Sequence, residues 1–303
     1  MSTSIVSLWQ RLPVIVRAVI AGLAVLMVGE RPWGGIAGHA ALAGWNERVL
    51  VSVPWAIPLM ALYLWLFWRY LGGAGWPRIT APLRRASLRA NRLSPEVGGM
   101  SLLAGLIGLA ALLPLTRIIG RLVTLPAEAE PIIAPPQMPF VTMLLLLVMA
   151  SIVAGVVEET AFRGYMQGPI ERRHGPIVAI LVTGVTFGLL HYNHHPASVL
   201  AMLPFYIAVS AVYGGIAYTT NSILPAVVLH TAGDVFSLTR LWMTGQPEWQ
   251  GSASPATATL IWQTGVDFPF VRSVIVFIVL SGAALWAYSA LARLAREAPP
   301  SPP

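Results

Sequence analysis

The chain has 303 residues, 56% of them hydrophobic and only 10% charged, where an ordinary soluble domain carries about 25% charged residues. That balance excludes a soluble core of this size and indicates a polytopic membrane protein. All 19 basic residues are arginine and the net charge is +7. In a membrane protein such an excess reports loops on the cytoplasmic side, so no nucleic-acid partner is expected.

Cysteine is absent, which removes disulfides, thiolate zinc sites and cysteine nucleophiles.

In chain order, Leu12 to Gly29 is a first apolar span, interrupted by Arg17, whose side chain can snorkel to the interface. Arg31 to Arg48 is short, rich in Gly and Trp, and reads as an interfacial loop. Val49 to Trp68 is an uncharged span, followed by a loop holding Arg69, Arg78, Arg84, Arg85, Arg89 and Arg92. Gly98 to Thr116, stretching toward Val123, is the third span, and Glu128 and Glu130 stand in a Pro-rich loop after it. The fourth, Met138 to Val157, is 20 residues without a charge, long enough to cross a bilayer as a helix. Ile177–His191, Val199–Tyr218, Ser222–Leu238 and Ser273–Ala292 complete a set of about eight transmembrane helices.

The expectation is one all-α transmembrane domain over 1–303, with a polar intramembrane cavity. Its N-terminal helices cover 12–123, its core 138–240 and its last helix 271–292. A tail over 293–303 is expected to be disordered. Arginine placement puts the six-arginine loop, the Glu171–His174 turn and both termini in the cytoplasm, as a multi-pass protein of the cell membrane.

Chemistry concentrates in spans four, five and seven. Glu158 and Glu159 close the fourth span, and ionisable groups there are costly unless they line a polar interior. Glu159 and Arg163 are four apart and can pair on one helix face. Glu158 points roughly 100° away and is left free to face another partner, as a general base on water. Phe187 and His191 share a face in span five. If spans four and five form a hairpin turning at His174-Gly175, Glu158 and His191 both lie about 24 Å from the turn and meet at one depth. Gly168-Pro169 is a place where the first arm can bend. His230 and Asp234, four apart in span seven, can aim at one point. His194 and His195 fall in the turn after span five and read as loop residues.

Three readings of these groups stand beside one another. His191, His230, Asp234 and Glu158 are ligand types zinc accepts, although the His-Glu-x-x-His spacing is missing. Intramembrane Glu, His and Arg also build transporters, although no internal repeat is visible. A non-catalytic scaffold is the third.

The motifs Glu158-Glu159-x-x-x-Arg163, Phe187-x-x-x-His191 and His230-x-x-x-Asp234, in this order on apolar helices, resemble those of the CAAX-protease and bacteriocin-processing family of intramembrane proteases, which includes the Ras-converting endopeptidases. The resemblance runs from about Phe140 to Leu238. It implies an eight-helix, metal-independent glutamate protease that needs no cofactor. Glu158 would activate water and His191 would hold it. His230 and Asp234 would stabilise the oxyanion, Glu159 and Arg163 would keep the first motif in shape, and Phe187 would meet substrate. Asp234 stands where the family often has asparagine, and it is expected to orient the His230 ring so that the imidazole donates alone. The implied partner is a membrane-associated or lipid-anchored peptide at the bilayer.

Overall fold

The computed structural model describes residues 9–30, 46, 48–126, 138–191, 195–244 and 259–297. The loop residues Glu128, Glu130 and His194, nearly all of the Gly- and Trp-rich stretch after Arg31, and 298–303 lie outside them. Among the described residues all regular structure is helical, apart from one antiparallel bridge between Ala90 and Ser222.

Helix α1 spans Val14–Glu30 and α2 Ala56–Leu71. The second span therefore begins seven residues later than the uncharged run suggested. Asn46 organises that entry: its side chain donates to the carbonyls of Leu50 and Val53 at 3.0 and 2.8 Å and accepts from the Ala56 amide at 3.3 Å. Such bonds satisfy backbone groups that a helix start leaves open.

The arginine loop is folded. A short turn at Arg78–Thr80 leads into α3, Ala81–Leu88, and Arg84 and Arg89 are buried. Helix α4, Pro95–Leu122, starts where Ser94 accepts the amide of Val97 and proline takes the first helical position. At its other end Arg121 grips both carboxylate oxygens of Asp267 at 3.1 and 3.0 Å. The backbone amide of Phe270, and the Arg121 guanidinium behind it, hold the Asp267 carboxyl below its ordinary range.

Helix α5, Phe140–Glu159, runs without interruption into a widened π-helical stretch at Thr160–Gln167, and α6 follows over Gly168–Leu189. The irregularity thus precedes Gly168-Pro169. Pro169 cannot donate to the carbonyl of Tyr165 and crowds it, so the turn before it opens. The hairpin bend is at Gly175, whose φ of +84° suits glycine. Phe162 and Phe187 stand on opposite sides of this bend and meet edge to face at 5.2 Å. The second arm therefore folds back along the first, with Glu158 and His191 one turn farther from the bend on their respective arms.

What was read as the sixth span is two helices, α7 at Pro196–Ala201 and α8 at Leu203–Thr220, joined at Met202. Helix α9 spans Leu224–Thr244, α10 Ile261–Thr264 and α11 Phe268–Glu297. Residues 293–297, expected in a disordered tail, continue α11 because Leu291 and its neighbours still have a helical face to bury.

Among the described residues, three stretches are long and apolar enough to cross a membrane: Pro95–Leu122, Phe140–Leu189 and Phe268–Glu297. Helices α1 and α2 are shorter, and α8 and α9 are diluted by Tyr, Gly, Thr, His and Asp. The apolar window of Phe140–Leu189 is 61% buried and that of α11 only 17%. The first is the spine of the bundle. The second is an outer helix that shows Ile275, Ile278, Val279, Leu285 and Trp286 outward.

Candidate functional site

The site forms where α5 and α9 touch. Gly155 makes that approach possible: a Cβ there would stand 2.3 Å from Thr231 Oγ1 and 3.1 Å from the carbonyl of Val227. One helical turn farther along, Glu159 reaches two partners. Its Oε1 accepts from Arg163 Nη1 at 3.0 Å and from His230 Nδ1 at 2.8 Å. Glu159 and Arg163 are fully buried. Removing a charge from water costs several kcal/mol per ion, so such groups persist only when paired. Arg163 Nη2 also reaches Ser210 Oγ on α8 at 3.4 Å, and its guanidinium lies 5.1 Å from the Tyr213 ring. The Tyr213 ring in turn stacks on His230 at 5.2 Å and 10°. One carboxylate, one guanidinium and one phenol therefore fix the His230 imidazole in position and plane.

With Nδ1 engaged, His230 Nε2 faces Glu158 Oε2 at 3.7 Å and Asp234 Oδ2 at 3.6 Å. This corrects the expectation that Asp234 orients the ring: the bonded carboxylate is Glu159, from the first motif. Asp234 is on the Nε2 side of the imidazole. Spacing alone could not separate these cases, because the four-residue interval places Asp234 near His230 but does not say which nitrogen it meets.

His191 takes a different position. Its Nδ1 lies 2.9 Å from the Phe187 carbonyl, and its ring packs against Tyr206 at 4.4 Å and Phe187 at 4.9 Å. Phe187 lies near both imidazoles, with its centroid 6.4 Å from that of His230. Phe187 is buried and makes a wall of the site, against Phe162, Tyr206 and the Arg163 guanidinium at 5.8 Å. His195 accepts from the Ala197 amide at 3.2 Å and starts α7.

Three contributors were not singled out from the sequence. Tyr213 and Ser210 carry no signal among so many apolar neighbours. Glu30, at the end of α1, does: it closes an apolar run just as Glu158 and Glu159 do, and it is buried beside Glu158. Among the described residues, no group of three or more His, Asp or Glu side chains is arranged to hold a metal ion.

Taken together, fold and site define an all-α, membrane-type protein with a buried carboxylate–histidine centre on its most enclosed helices. Residues 140–236 match the family described as type II CAAX prenyl endopeptidase, Rce1-like. The matched segment contains all three motifs, and the description of that family is of a peptide hydrolase. No curated protein and no solved structure matches the chain.

Proposed function

We propose that the chain is an intramembrane endopeptidase that hydrolyses a peptide bond near the membrane interface by glutamate-activated water. The observation that supports this most is the His230 imidazole, held at Nδ1 by Glu159 with Nε2 facing Glu158 at 3.7 Å. At 3.7 Å the two atoms are close enough for one water beside them to hydrogen-bond both. In this reading Glu158 takes a proton from water as the oxygen attacks the carbonyl carbon. The charge that develops on the carbonyl oxygen is met by His230 Nε2–H, and the leaving amine takes a proton as the C–N bond breaks. Preorganised donors of this kind contribute about a hundred- to thousandfold each.

In this reading His191 is assigned to hold the water with Glu158, Phe187 to meet the substrate side chain, and Glu159 with Arg163 to keep the ring aligned. The chemistry uses no metal and no cofactor. The substrate is a membrane-associated or lipid-anchored peptide. A prenylated C-terminal segment is the form that the matched family's description suggests. The chain forms a single transmembrane domain of eight spans, with both termini and the arginine-rich segment in the cytoplasm. Arg89 and Glu171, each assigned to that side by charge, form an ion pair at 3.0 Å, which supports the assignment.

The test is cleavage of a membrane-anchored quenched peptide by the purified chain in liposomes, with chelator present. Glu158→Gln should lose about a thousandfold in kcat/KM, within the usual range for a general base, and should keep the wild-type melting temperature. Undiminished cleavage by Glu158→Gln would overturn the role of that carboxylate. Cleavage abolished by chelation and restored by zinc would replace the mechanism with a metal one.

A further inference from the structure

From Arg69 to Arg92 the chain carries six arginines and no acidic residue, and the proposed reaction uses none of them. Two are spent inside the protein. Arg84 donates to the carbonyls of Ala74 and Pro77 at 2.9 and 3.2 Å and lies 4.2 Å from the Tyr70 ring, which ties α3 back to the end of α2. Arg89 is bound to Glu171 of α6 and to the Ala217 carbonyl of α8. Arg78 and Arg85 are exposed. They stand about two helical turns apart and so share one flank.

The outer face beside that flank is apolar. Ala81, Arg84 and Leu88 turn inward, while Ile79, Pro82, Leu83 and Ala86 turn outward. Trp76 is 86% and Ile79 90% exposed. Single exposed apolar side chains are ordinary, but a row of them on one helix face marks a surface that something covers. This row continues an outward apolar surface, because α2 shows Leu62, Trp65 and Leu66 outward on the span that leads into it. Arg69, in the last turn of that span, lies over the Trp65 ring at 5.0 Å. Aromatic rings with arginines folded toward the surface are the anchors found at a bilayer interface. The segment after Arg69 therefore runs at headgroup depth before α4 re-enters the bundle. An apolar row with a basic flank and no acid is complementary to a negatively charged lipid surface.

We infer that Trp76–Ala86 is an interfacial anchor: Trp76, Ile79 and Leu83 sit in the headgroup layer, and Arg78 and Arg85 engage the phosphates of anionic phospholipids. The cytoplasmic leaflet is the negatively charged one, in agreement with the side assigned to this segment. The inner side of the anchor rests on the framework of the candidate site. A Cβ on Gly164 would stand 2.6 Å from the Ser87 carbonyl oxygen, and Gly164 follows Arg163, the partner of Glu159. Lipid that seats α3 thereby steadies the widened stretch. This consequence rests on the endopeptidase reading, and the anchor itself does not.

The chain has no cysteine, so Ile79→Cys carrying an environment-sensitive fluorophore reports on this face alone, in the full chain reconstituted in liposomes. In phosphatidylcholine mixed with phosphatidylglycerol, the label should be quenched by a nitroxide near the lipid headgroup and shielded from aqueous iodide. Nitroxide carried on phosphatidylglycerol should quench about threefold more than the same amount on phosphatidylcholine. Arg78→Gln combined with Arg85→Gln should erase that preference at unchanged melting temperature. Full access of iodide overturns the anchor, and so does shielding from both quenchers, which would mean that a protein covers the face. Equal quenching by the two lipids in the otherwise unaltered chain overturns the arginine–phosphate contacts. Cleavage of an uncharged, membrane-anchored quenched peptide should rise about three- to tenfold when phosphatidylglycerol is added, and stay flat in the double arginine variant. That variant should match the wild type in phosphatidylcholine alone. Wild-type cleavage at one rate in both lipids overturns the coupling to the site. Absence of wild-type cleavage, with the quenching as expected, overturns the endopeptidase reading and leaves the anchor supported.

Discussion

Two of the buried arginines, Arg89 and Arg163, are completed differently. Arg89 enters the bundle from the short helical segment before α4. It forms an ion pair with Glu171 at 3.0 Å and donates to the carbonyls of Ala217 and Arg163 at 2.5 and 3.3 Å and to Asn221 Oδ1 at 3.1 Å. Burial, with a smaller push from Arg172, pulls its guanidinium down from its ordinary value, and Glu171 opposes that. Every one of these acceptors lies on a different turn or helix, and the result is a clamp that ties the arginine-rich segment to α6 and α8.

Arg163 has one carboxylate and one hydroxyl, and around it stands a surplus of acid that it does not neutralise. A fully satisfied polar network rigidifies, and a surplus of one charge leaves groups ready to take or give a proton. The end of the bundle with balanced charge is structural, and the end with excess carboxylate is the candidate site. The widened helical stretch joins them, because the Arg163 carbonyl is one of the acceptors of Arg89.

Arg163→Ala should break the comparison most severely. It leaves Glu159 buried without a cation and frees the His230 ring, at a cost of about 3–5 kcal/mol. The expected outcome is a large fall in melting temperature in detergent, together with loss of cleavage. Arg89→Ala should cost about 3 kcal/mol by the same reasoning, but its activity per folded molecule should remain near that of wild type. Equal catalytic loss in the two variants, after correction for folded fraction, would show that the clamp and the centre are one unit. Gly155→Ala is milder. The new methyl must displace Thr231, and overpacking of this kind costs about 1–3 kcal/mol. Because it wedges α5 from α9, it should lower kcat more than its stability effect accounts for, with the substrate KM little changed.

How far the sequence reveals this arrangement differs between the two ends. The three motifs and the bend at Gly175 are legible because charge in an apolar helix and a glycine between two arms are local signals. The Glu159–Arg163 pair is local too, being four residues apart. The Glu159–His230 bond is not, since 71 positions separate them and only the packing of α5 on α9 through Gly155 brings them together. Arg89 was read as one of six loop arginines, because composition does not distinguish a solvated guanidinium from one threaded between helices. The late start of α2 and the break at Met202 escaped for a related reason: apolar runs mark what is buried or lipid-facing, and α-helix boundaries depend on which backbone groups find other partners. Glu30 carried a readable signal, a lone acid ending an oily run, but its partner lies on another helix.

Asp234→Asn should have the smallest effect and is the sharpest test of how the centre divides its labour. Had Asp234 oriented the ring, its amide would release the imidazole and activity would collapse. Glu159 holds Nδ1 instead, at 2.8 Å, while Asp234 stands 3.6 Å from Nε2 with its side chain 22% exposed. Substitution then removes one negative charge from the face where the oxyanion forms and supplies an amide donor in its place. Those effects oppose the loss of a partner for the imidazole. The expected result is a change in kcat/KM within about tenfold in either direction, with the partly exposed position costing less than about 1 kcal/mol in stability. A thousandfold loss at unchanged melting temperature would instead mean that the Asp234 carboxylate handles a proton itself. The surplus charge would then serve to move protons.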